Sequence, residues 1–310
     1  MIVLGIVMMI ILVFFATMYV SWRFVFCNPK KRRPDVHRIP ETDLYKDYID
    51  CMTEIVKDME ETPFEEIRIL SRDNYSLYGK FYPVKKDAPL MIFFHGYHGV
   101  SAWDGHGFYK VCKKNGINIL MVDERAHGNS EGKAITLGIR ERYDCRSWVD
   151  YAVTRFGENT DIILAGVSMG ATSIIMSAEL RFPENVKVIL ADCGFSEPAA
   201  IIRETVRKMH LPVSPVYGLI KMGARLFGHL DIEEMTAVRA LESIRIPILF
   251  LHGKEDSVVP VSMNDELYEK CVAPKERVLV EGADHANSAM TDFDAYEKAV
   301  MNFLKEHLFS

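Results

Sequence analysis

The chain has 310 residues, of which 49% are hydrophobic and 26% are charged, so it can bury the core of one large domain. Its formal net charge of -6 argues against a nucleic-acid partner. The six cysteines form no C-x-x-C pair, so zinc and redox motifs find no support, and free thiols in a reducing compartment are expected.

The amino terminus carries a segment from Ile2 to Trp22 that holds no charged residue. As a helix its 21 residues would extend about 31 Å, enough for the hydrocarbon core of a bilayer. A cleaved signal peptide is the alternative interpretation. It is disfavoured because the first basic residue is Arg23 and bulky aromatic residues follow the apolar run. The sequence therefore predicts a transmembrane anchor over residues 1–26.

A basic cluster, Lys30–Arg33, follows this anchor on its carboxyl side. By the positive-inside rule that side is cytoplasmic, so the rest of the chain is expected to face the cytosol. Residues 27–62 are predicted to form a basic linker and a juxtamembrane helix, the helix running from Glu41 to Glu61. Since the core is expected beyond Phe64, deleting residues 1–27 should release a soluble protein.

Residues 63–310 are predicted to form one domain. Phe64–Arg72 and Tyr75–Tyr82 are typical of a hairpin, and apolar strands then alternate with helices. The strands are expected near 90–94, 117–122, 161–165, 186–191, 246–251 and 277–281. The helices are expected near 103–114, 138–155, 169–181, 262–272 and 292–308. This alternation predicts an α/β fold with a mostly parallel sheet flanked by helices.

One interval departs from the alternation. Between Asp192 and Ile246 the chain is helical in pattern and contains no clear strand. In a domain of this kind such an insertion can cover the functional site, and its apolar side chains can line a pocket for an acyl group. A helical lid is therefore predicted at about 195–244.

The stretch Gly166-Val167-Ser168-Met169-Gly170 lies between a predicted strand and a predicted helix. A G-x-S-x-G sequence in this context is typical of a nucleophile elbow. The tight turn lifts the serine oxygen from the sheet and places it near the amino end of the helix. There the helix dipole and free N–H groups favour a developing negative charge. The sequence thus predicts Ser168 as a nucleophile.

A nucleophilic serine needs a base, and the base needs an orienting acid. Asp256 follows the apolar strand Ile246–Leu251, and His285 follows the last predicted strand. Both lie at carboxyl ends of strands, where such sheets bind ligands. Glu255 and Asp284 are weaker alternatives for the acid. Because Asp284 adjoins His285 in sequence, its side chain should point elsewhere.

The loop His95-Gly96-Tyr97-His98-Gly99 follows the buried strand near 90–94. A tetrahedral oxyanion needs two backbone N–H donors, one from such a loop and one from the residue after the nucleophile. The expected donors are Tyr97, with its side chain incidental to the role, and Met169.

These segments make the chain resemble the α/β-hydrolase superfamily, in its serine esterase, lysophospholipase and serine aminopeptidase branch. The resemblance covers roughly residues 64–310 and includes the segment 123–130, where Ala126 departs from the glycine usual in these relatives. It implies the α/β-hydrolase fold, with Ser168, Asp256 and His285 as catalytic triad.

The leading interpretation is a membrane-anchored serine hydrolase that cleaves carboxylic esters through an acyl-enzyme, with no metal or organic cofactor. The alternatives are a serine aminopeptidase-type peptidase, an acyltransferase and an anchored pseudoenzyme. The expected partners are a small-molecule ester or a short peptide, and membrane lipid. A peptidase would need an acid to hold the substrate amine, and the predicted lid offers Glu197, Glu204, Asp231, Glu233 and Glu234.

Overall fold

The computed structural model describes residues 2–28 and 39–309, so the cluster Lys30–Arg33 lies outside the described residues. Within them, eight strands form one sheet. The strands are β1 (Glu65–Leu70), β2 (Ser76–Tyr82), β3 (Leu90–Phe94), β4 (Asn118–Asp123), β5 (Ile162–Val167), β6 (Val186–Asp192), β7 (Ile248–Gly253) and β8 (Lys275–Val280).

The sheet has the order β1-β2-β4-β3-β5-β6-β7-β8. The pairs β1–β2 and β2–β4 are antiparallel, and the five remaining pairs are parallel. Every residue of β3 and β5 is buried, as expected for parallel strands covered on both faces. The prediction of a mostly parallel sheet flanked by helices is confirmed.

Twelve α-helices lie in the described parts of the chain. They are α1 (Ile2–Phe26), α2 (Ile49–Glu61), α3 (Ser101–Asp104), α4 (His106–Asn115), α5 (Glu141–Phe156), α6 (Met169–Ser177), α7 (Pro198–Lys208), α8 (Val213–Gly228), α9 (Ala237–Leu241), α10 (Val261–Lys270), α11 (Ser288–Thr291) and α12 (Phe293–His307).

The two faces of the sheet carry separate apolar clusters, as the alternation of side chains along a strand requires. On β3, Ile92 and Phe94 pack in the cluster that includes α5, α6 and α7. Met91 and Phe93 point the other way and pack with α4 and α12. The carboxyl ends of the parallel strands are left free to carry loops at one edge of the sheet.

The juxtamembrane helix begins later than the sequence predicts. The expected start was Glu41, whereas α2 begins at Ile49 and turns occupy residues 42–48. The carbonyl oxygen of Leu44 accepts a hydrogen bond from Asn287 Nδ2 at 2.6 Å. The segment therefore bonds to the loop after β8 instead of continuing the helix to its amino end.

The insertion between β6 and β7 contains α7, α8 and α9, which agrees with the helical pattern of residues 195–244. The α7 helix begins with Pro198 and shows an apolar face that packs on the main core. Its role as a lid stays a prediction.

Most side chains of α1 are exposed, and the helix is long and apolar enough to cross a membrane. A signal sequence near the amino terminus would meet the same criteria of length and composition. The anchor and its orientation therefore stay predictions.

The carboxyl end of α1 belongs to the core of the domain. Phe26 is fully buried in the main cluster, and its carbonyl oxygen accepts a hydrogen bond from Ile135 N at 2.7 Å. Cys27 forms an antiparallel bridge with Ala134. The expectation that the whole core lies beyond Phe64 is therefore wrong, because Phe26 of α1 is part of it.

Candidate active site

A strained turn joins β5 to α6. Ser168 lies between them with φ 53° and ψ −115°, a conformation that a non-glycine residue adopts only when its surroundings enforce it. A Cβ atom on Gly170 would lie 2.1 Å from the carbonyl oxygen of Phe94. On Gly166 it would lie 2.6 Å from the backbone of Ala171. Both glycines are therefore needed for the backbone to approach this closely.

The turn points the Ser168 hydroxyl at the ring of His285, which follows β8. His285 Nε2 lies 3.0 Å from Ser168 Oγ, and His285 Nδ1 lies 2.8 Å from Asp256 Oδ2. The structure thus brings together the three residues that the sequence singled out, from the ends of β5, β7 and β8. These distances allow proton transfer from the hydroxyl to the ring.

The carboxylate of Asp256 accepts three hydrogen bonds and lies close to a second histidine, His252, whose Nε2 also lies 2.9 Å from the carbonyl oxygen of Val259. Its Oδ1 accepts from the N–H groups of Val258 at 2.8 Å and Val259 at 2.7 Å. Its Oδ2 lies 2.8 Å from His285 Nδ1 and 3.2 Å from His252 Nε2. Burial alone would raise the pKa of this carboxyl, but the two histidines hold the pKa well below its usual range. The ionised Asp256 keeps the proton of His285 on Nδ1, so Nε2 is free to accept.

The two alternative acids do not contact the ring of His285. Asp284 Oδ1 accepts from the backbone N–H groups of Ser257 at 2.7 Å and His285 at 2.6 Å, so it ties the two loops together. Glu255 is exposed. The side chain of Asp284 points away from the imidazole, as its adjacency to His285 led us to expect.

The two backbone N–H groups predicted to hold an oxyanion are free of acceptors in the described chain. No described residue accepts a hydrogen bond from the N–H of Tyr97 or of Met169, and Met169 opens α6, where N–H groups lack partners in the helix. The Tyr97 side chain has a contact that the sequence did not indicate. Its hydroxyl donates to the carbonyl oxygen of Val25 at 2.8 Å, which ties this loop to the end of α1.

A buried acid that sequence reasoning missed holds the same loop. Asp104 Oδ2 accepts a hydrogen bond from Gly96 N at 2.7 Å, and the Tyr45 side chain also bonds to this carboxylate. Burial raises the pKa of Asp104 to about 6, although the Gly96 N–H and the charge of His285 oppose the rise. The segment before α2 therefore contacts, through Asp104, the loop that holds Gly96 and Tyr97.

Comparison with known proteins gives the same picture over most of the chain. A family model described as serine aminopeptidase, S33, matches residues 85–233. The structure of the esterase Pf2001 from Pyrococcus furiosus is 26% identical and superposes with a TM-score of 0.65, covering 81% of this chain and 94% of that chain. The chain belongs to the α/β-hydrolase superfamily. The predicted fold class is confirmed.

Two further relatives match shorter stretches of this hydrolase. It is 31% identical to YqkD of Bacillus subtilis over 193 residues, which are 61% of this chain and 62% of that protein. It is 31% identical over 151 residues to the thiohydrolase aneE of Aspergillus aculeatus, covering 46% of this chain and 45% of that protein. The match thus spans less than two thirds of the length of either relative.

One group of candidate metal ligands includes two of the predicted site residues, Asp256 and His285. The ligand atoms of Cys193, Asp256 and His285 lie within 4.8 Å of one another. Burial raises the pKa of the Cys193 thiol well above its usual value, so the sulfur is neutral, whereas metal ions bind thiolate. His285 Nδ1 already faces Asp256. That no cofactor is needed stays a prediction.

Four of the five acids that the sequence singled out in the insertion are engaged by cations. The ion pairs are Glu204–Arg207, Asp231–Arg225, Glu233–Lys221 and Glu234–Arg142. The fifth acid, Glu197, has no ion-pair partner among residues 2–28 and 39–309, and burial raises its pKa. The arrangement leaves Glu197 as the one acid of this set still available to hold a substrate amine.

Proposed function

We propose that this α/β hydrolase is a membrane-anchored serine esterase that cleaves carboxylic esters through an acyl-enzyme. The observation that carries the proposal is the continuous hydrogen-bonded line from Ser168 through His285 to Asp256, at a strained elbow. The roles of nucleophile, base and orienting acid follow from this line. The esterase from Pyrococcus furiosus, similar over 81% of the chain, supports ester substrates.

The first half-reaction forms the acyl-enzyme. His285 Nε2 takes the hydroxyl proton while Ser168 Oγ bonds to the ester carbonyl carbon. The carbonyl oxygen becomes an oxyanion, which accepts hydrogen bonds from the N–H groups of Tyr97 and Met169. Asp256 stabilises the imidazolium. The carbon–oxygen bond to the alcohol then breaks, and the leaving oxygen takes the proton from His285.

The second half-reaction restores the enzyme. Water loses a proton to His285 Nε2 as its oxygen bonds to the acyl carbon, and the same two N–H groups hold the new oxyanion. The bond to Ser168 Oγ breaks, and the serine recovers its proton from the imidazolium. The carboxylic acid leaves, and no group outside the chain is consumed except water.

The insertion favours esters over amino-terminal peptides. A peptidase must place a carboxylate against the substrate amine, and four of the five acids singled out for that role are bound to cations. We therefore expect the purified full-length protein in detergent to hydrolyse nitrophenyl esters and to leave aminoacyl anilides uncleaved. Faster cleavage of anilides than of esters, lost in Glu197→Gln, would establish the peptidase instead.

We extend the proposal to topology: α1 stays as a membrane anchor and the hydrolase domain faces the cytosol. Cys51 offers a native reporter because it is exposed, whereas the other five cysteines are buried. A membrane-impermeant maleimide should label Cys51 only after lysis, and Cys51→Ser should remove the label. Labelling in intact cells would reverse the orientation, and a mature chain lacking residues 1–26 would establish a signal peptide.

A further inference from the structure

The insertion packs directly against the anchor. A Cβ atom added to Gly223 of α8 would lie 2.4 Å from the carbonyl oxygen of Met18. The rings of Tyr19 and Phe227 meet edge to face with centroids 5.2 Å apart. Apart from Phe26, Met18 is the only buried residue among those described in α1. The exposed part of the anchor therefore ends at this contact with α8, and the anchor packs on the domain from there.

This contact fixes the depth of α8 relative to a bilayer that holds α1. The uncharged part of α1 ends at Trp22, and Arg23 follows it. Tyr19 and Trp22 are the aromatic types that occupy the boundary between hydrocarbon and headgroups. Because α8 packs against residues 18–22, it lies at that boundary and not in the surrounding water.

Large apolar side chains are exposed on the insertion and on the loop of Asp256. Outside α1, the described chain exposes eleven such side chains, and five of them belong to the insertion or to the loop of Asp256. We call these five the apolar rim. Its members are Met209, Leu211, Met222, Leu226 and Val258.

The apolar rim adjoins the active site on the side of the acid. Lys208 Nζ at the end of α7 donates to the carbonyl oxygens of Ser257 at 2.6 Å and Val258 at 3.0 Å, directly after Asp256. On the other side, the end of α1 accepts the hydroxyl of Tyr97 from the oxyanion loop. The insertion thus contacts the loop of Asp256, and the end of α1 contacts the loop of Tyr97.

We propose that the apolar rim contacts the bilayer that holds α1, and that the site takes its substrate from that bilayer. The substrate class is then an ester of a long-chain acyl group dissolved in the membrane; this inference rests on the proposed function. Exposed apolar side chains next to an anchored helix gain by leaving water for the lipid boundary. The two cations of α8, Lys221 and Arg225, pair with Glu233 and Asp231. This pairing lowers the free-energy cost of holding the two positive charges near lipid.

Contact with lipid can be measured without any enzymatic activity. The full chain carrying Cys51→Ser and Leu226→Cys is labelled with an environment-sensitive fluorophore and placed in phosphatidylcholine nanodiscs. The control is Val272→Cys, because Val272 is also exposed but precedes β8, at the opposite end of the strands from the site. Nitroxide lipids should quench the label at residue 226 and not at residue 272. Equal quenching at both residues, or none at 226, overturns the membrane contact.

Access from the bilayer is tested with two esters that share a leaving group. Methylumbelliferyl butyrate is soluble in water, and methylumbelliferyl oleate partitions into the nanodisc. The variant with Met222→Gln and Leu226→Gln should lower the ratio of oleate to butyrate kcat/KM about fivefold to tenfold, because substrate in the bilayer is reached less often. The matched control Val272→Gln should leave the ratio unchanged.

The two measurements separate the inference from the proposed function. If the wild type hydrolyses neither ester, the proposed function fails, while the quenching still reports on the bilayer contact. If the wild type hydrolyses butyrate and the double variant leaves the ratio unchanged, entry from the bilayer is wrong and the esterase stands.

Discussion

Asp256 accepts two backbone hydrogen bonds on one oxygen and faces two histidines with the other, so its carboxylate has one orientation. That rigidity determines which tautomer of His285 is present. With the proton fixed on Nδ1, Nε2 is the only ring atom that can take the Ser168 proton. In the proposed mechanism the acid therefore acts through the histidine and not through the substrate.

Replacing this acid tests the assignment against its two neighbours in sequence. Asp256→Asn should lower kcat by about 10⁴, because the amide favours the wrong tautomer of the histidine. Asp284→Asn and Glu255→Gln should have far smaller effects, since neither side chain contacts the ring. Steady-state kinetics on a nitrophenyl ester compares the three variants, and a larger loss in Asp284→Asn would refute the assignment.

Asp104 should make stability depend on pH in a defined window. Its folded pKa of about 6 lies above the ordinary value of 3.8, so the folded state binds the proton more tightly. The stability that Asp104 contributes is complete below pH 3.8 and is lost as pH rises to about 6. The free energy of unfolding should fall by up to about 3 kcal/mol over this range. Asp104→Asn, which keeps an acceptor for Gly96 N, should flatten the slope of unfolding free energy against pH. An unchanged slope between these pH values contradicts this role.

At the scale of elements, the strands and the site residues at their ends were predictable, because continuous apolar runs mark buried parallel strands. Ser168, Asp256 and His285 each follow such a run. Asp104 and His252 were not found, since their roles depend on partners from distant or irregular segments. Ala126 has φ 63°, which explains why glycine is usual there.

The packing of α8 on α1 could not be read from the sequence, because Gly223 and Met18 lie far apart in the chain. Gly223→Ala should separate the two helices, since its Cβ would meet the Met18 carbonyl oxygen at 2.4 Å. Gly218→Ala on the same helix is the control, with nothing within 4 Å of its Cβ. In detergent, thermal unfolding should show a lower Tm for Gly223→Ala. Gly218→Ala should raise the free energy of unfolding by about 0.5–1 kcal/mol, because alanine has the higher helix propensity. Equal shifts in both variants would argue against close helix contact.

At the scale of the whole molecule, α1 and the domain that follows it form one folded unit. Phe26 lies in the main core, and Tyr97 of the oxyanion loop bonds to Val25. A chain that begins after Cys27 should therefore be less stable, losing about 3–5 kcal/mol for the missing Phe26 side chain alone. A chain that begins at Thr17 keeps these contacts and should unfold near the Tm of the full chain. Equal stability of the two truncations would show that α1 is a separable tether.

The central claim is that Ser168 is an activated nucleophile, and covalent labelling tests it most directly. The full-length protein in detergent is treated with a fluorophosphonate, and its intact mass and peptides are analysed, with Ser168→Ala and the exposed Ser243→Ala as matched variants. We predict a single adduct on Ser168, which Ser243→Ala retains. The Ser168→Ala variant should show neither the adduct nor ester hydrolysis. An adduct at another residue, or ester hydrolysis that persists in Ser168→Ala, would contradict the account.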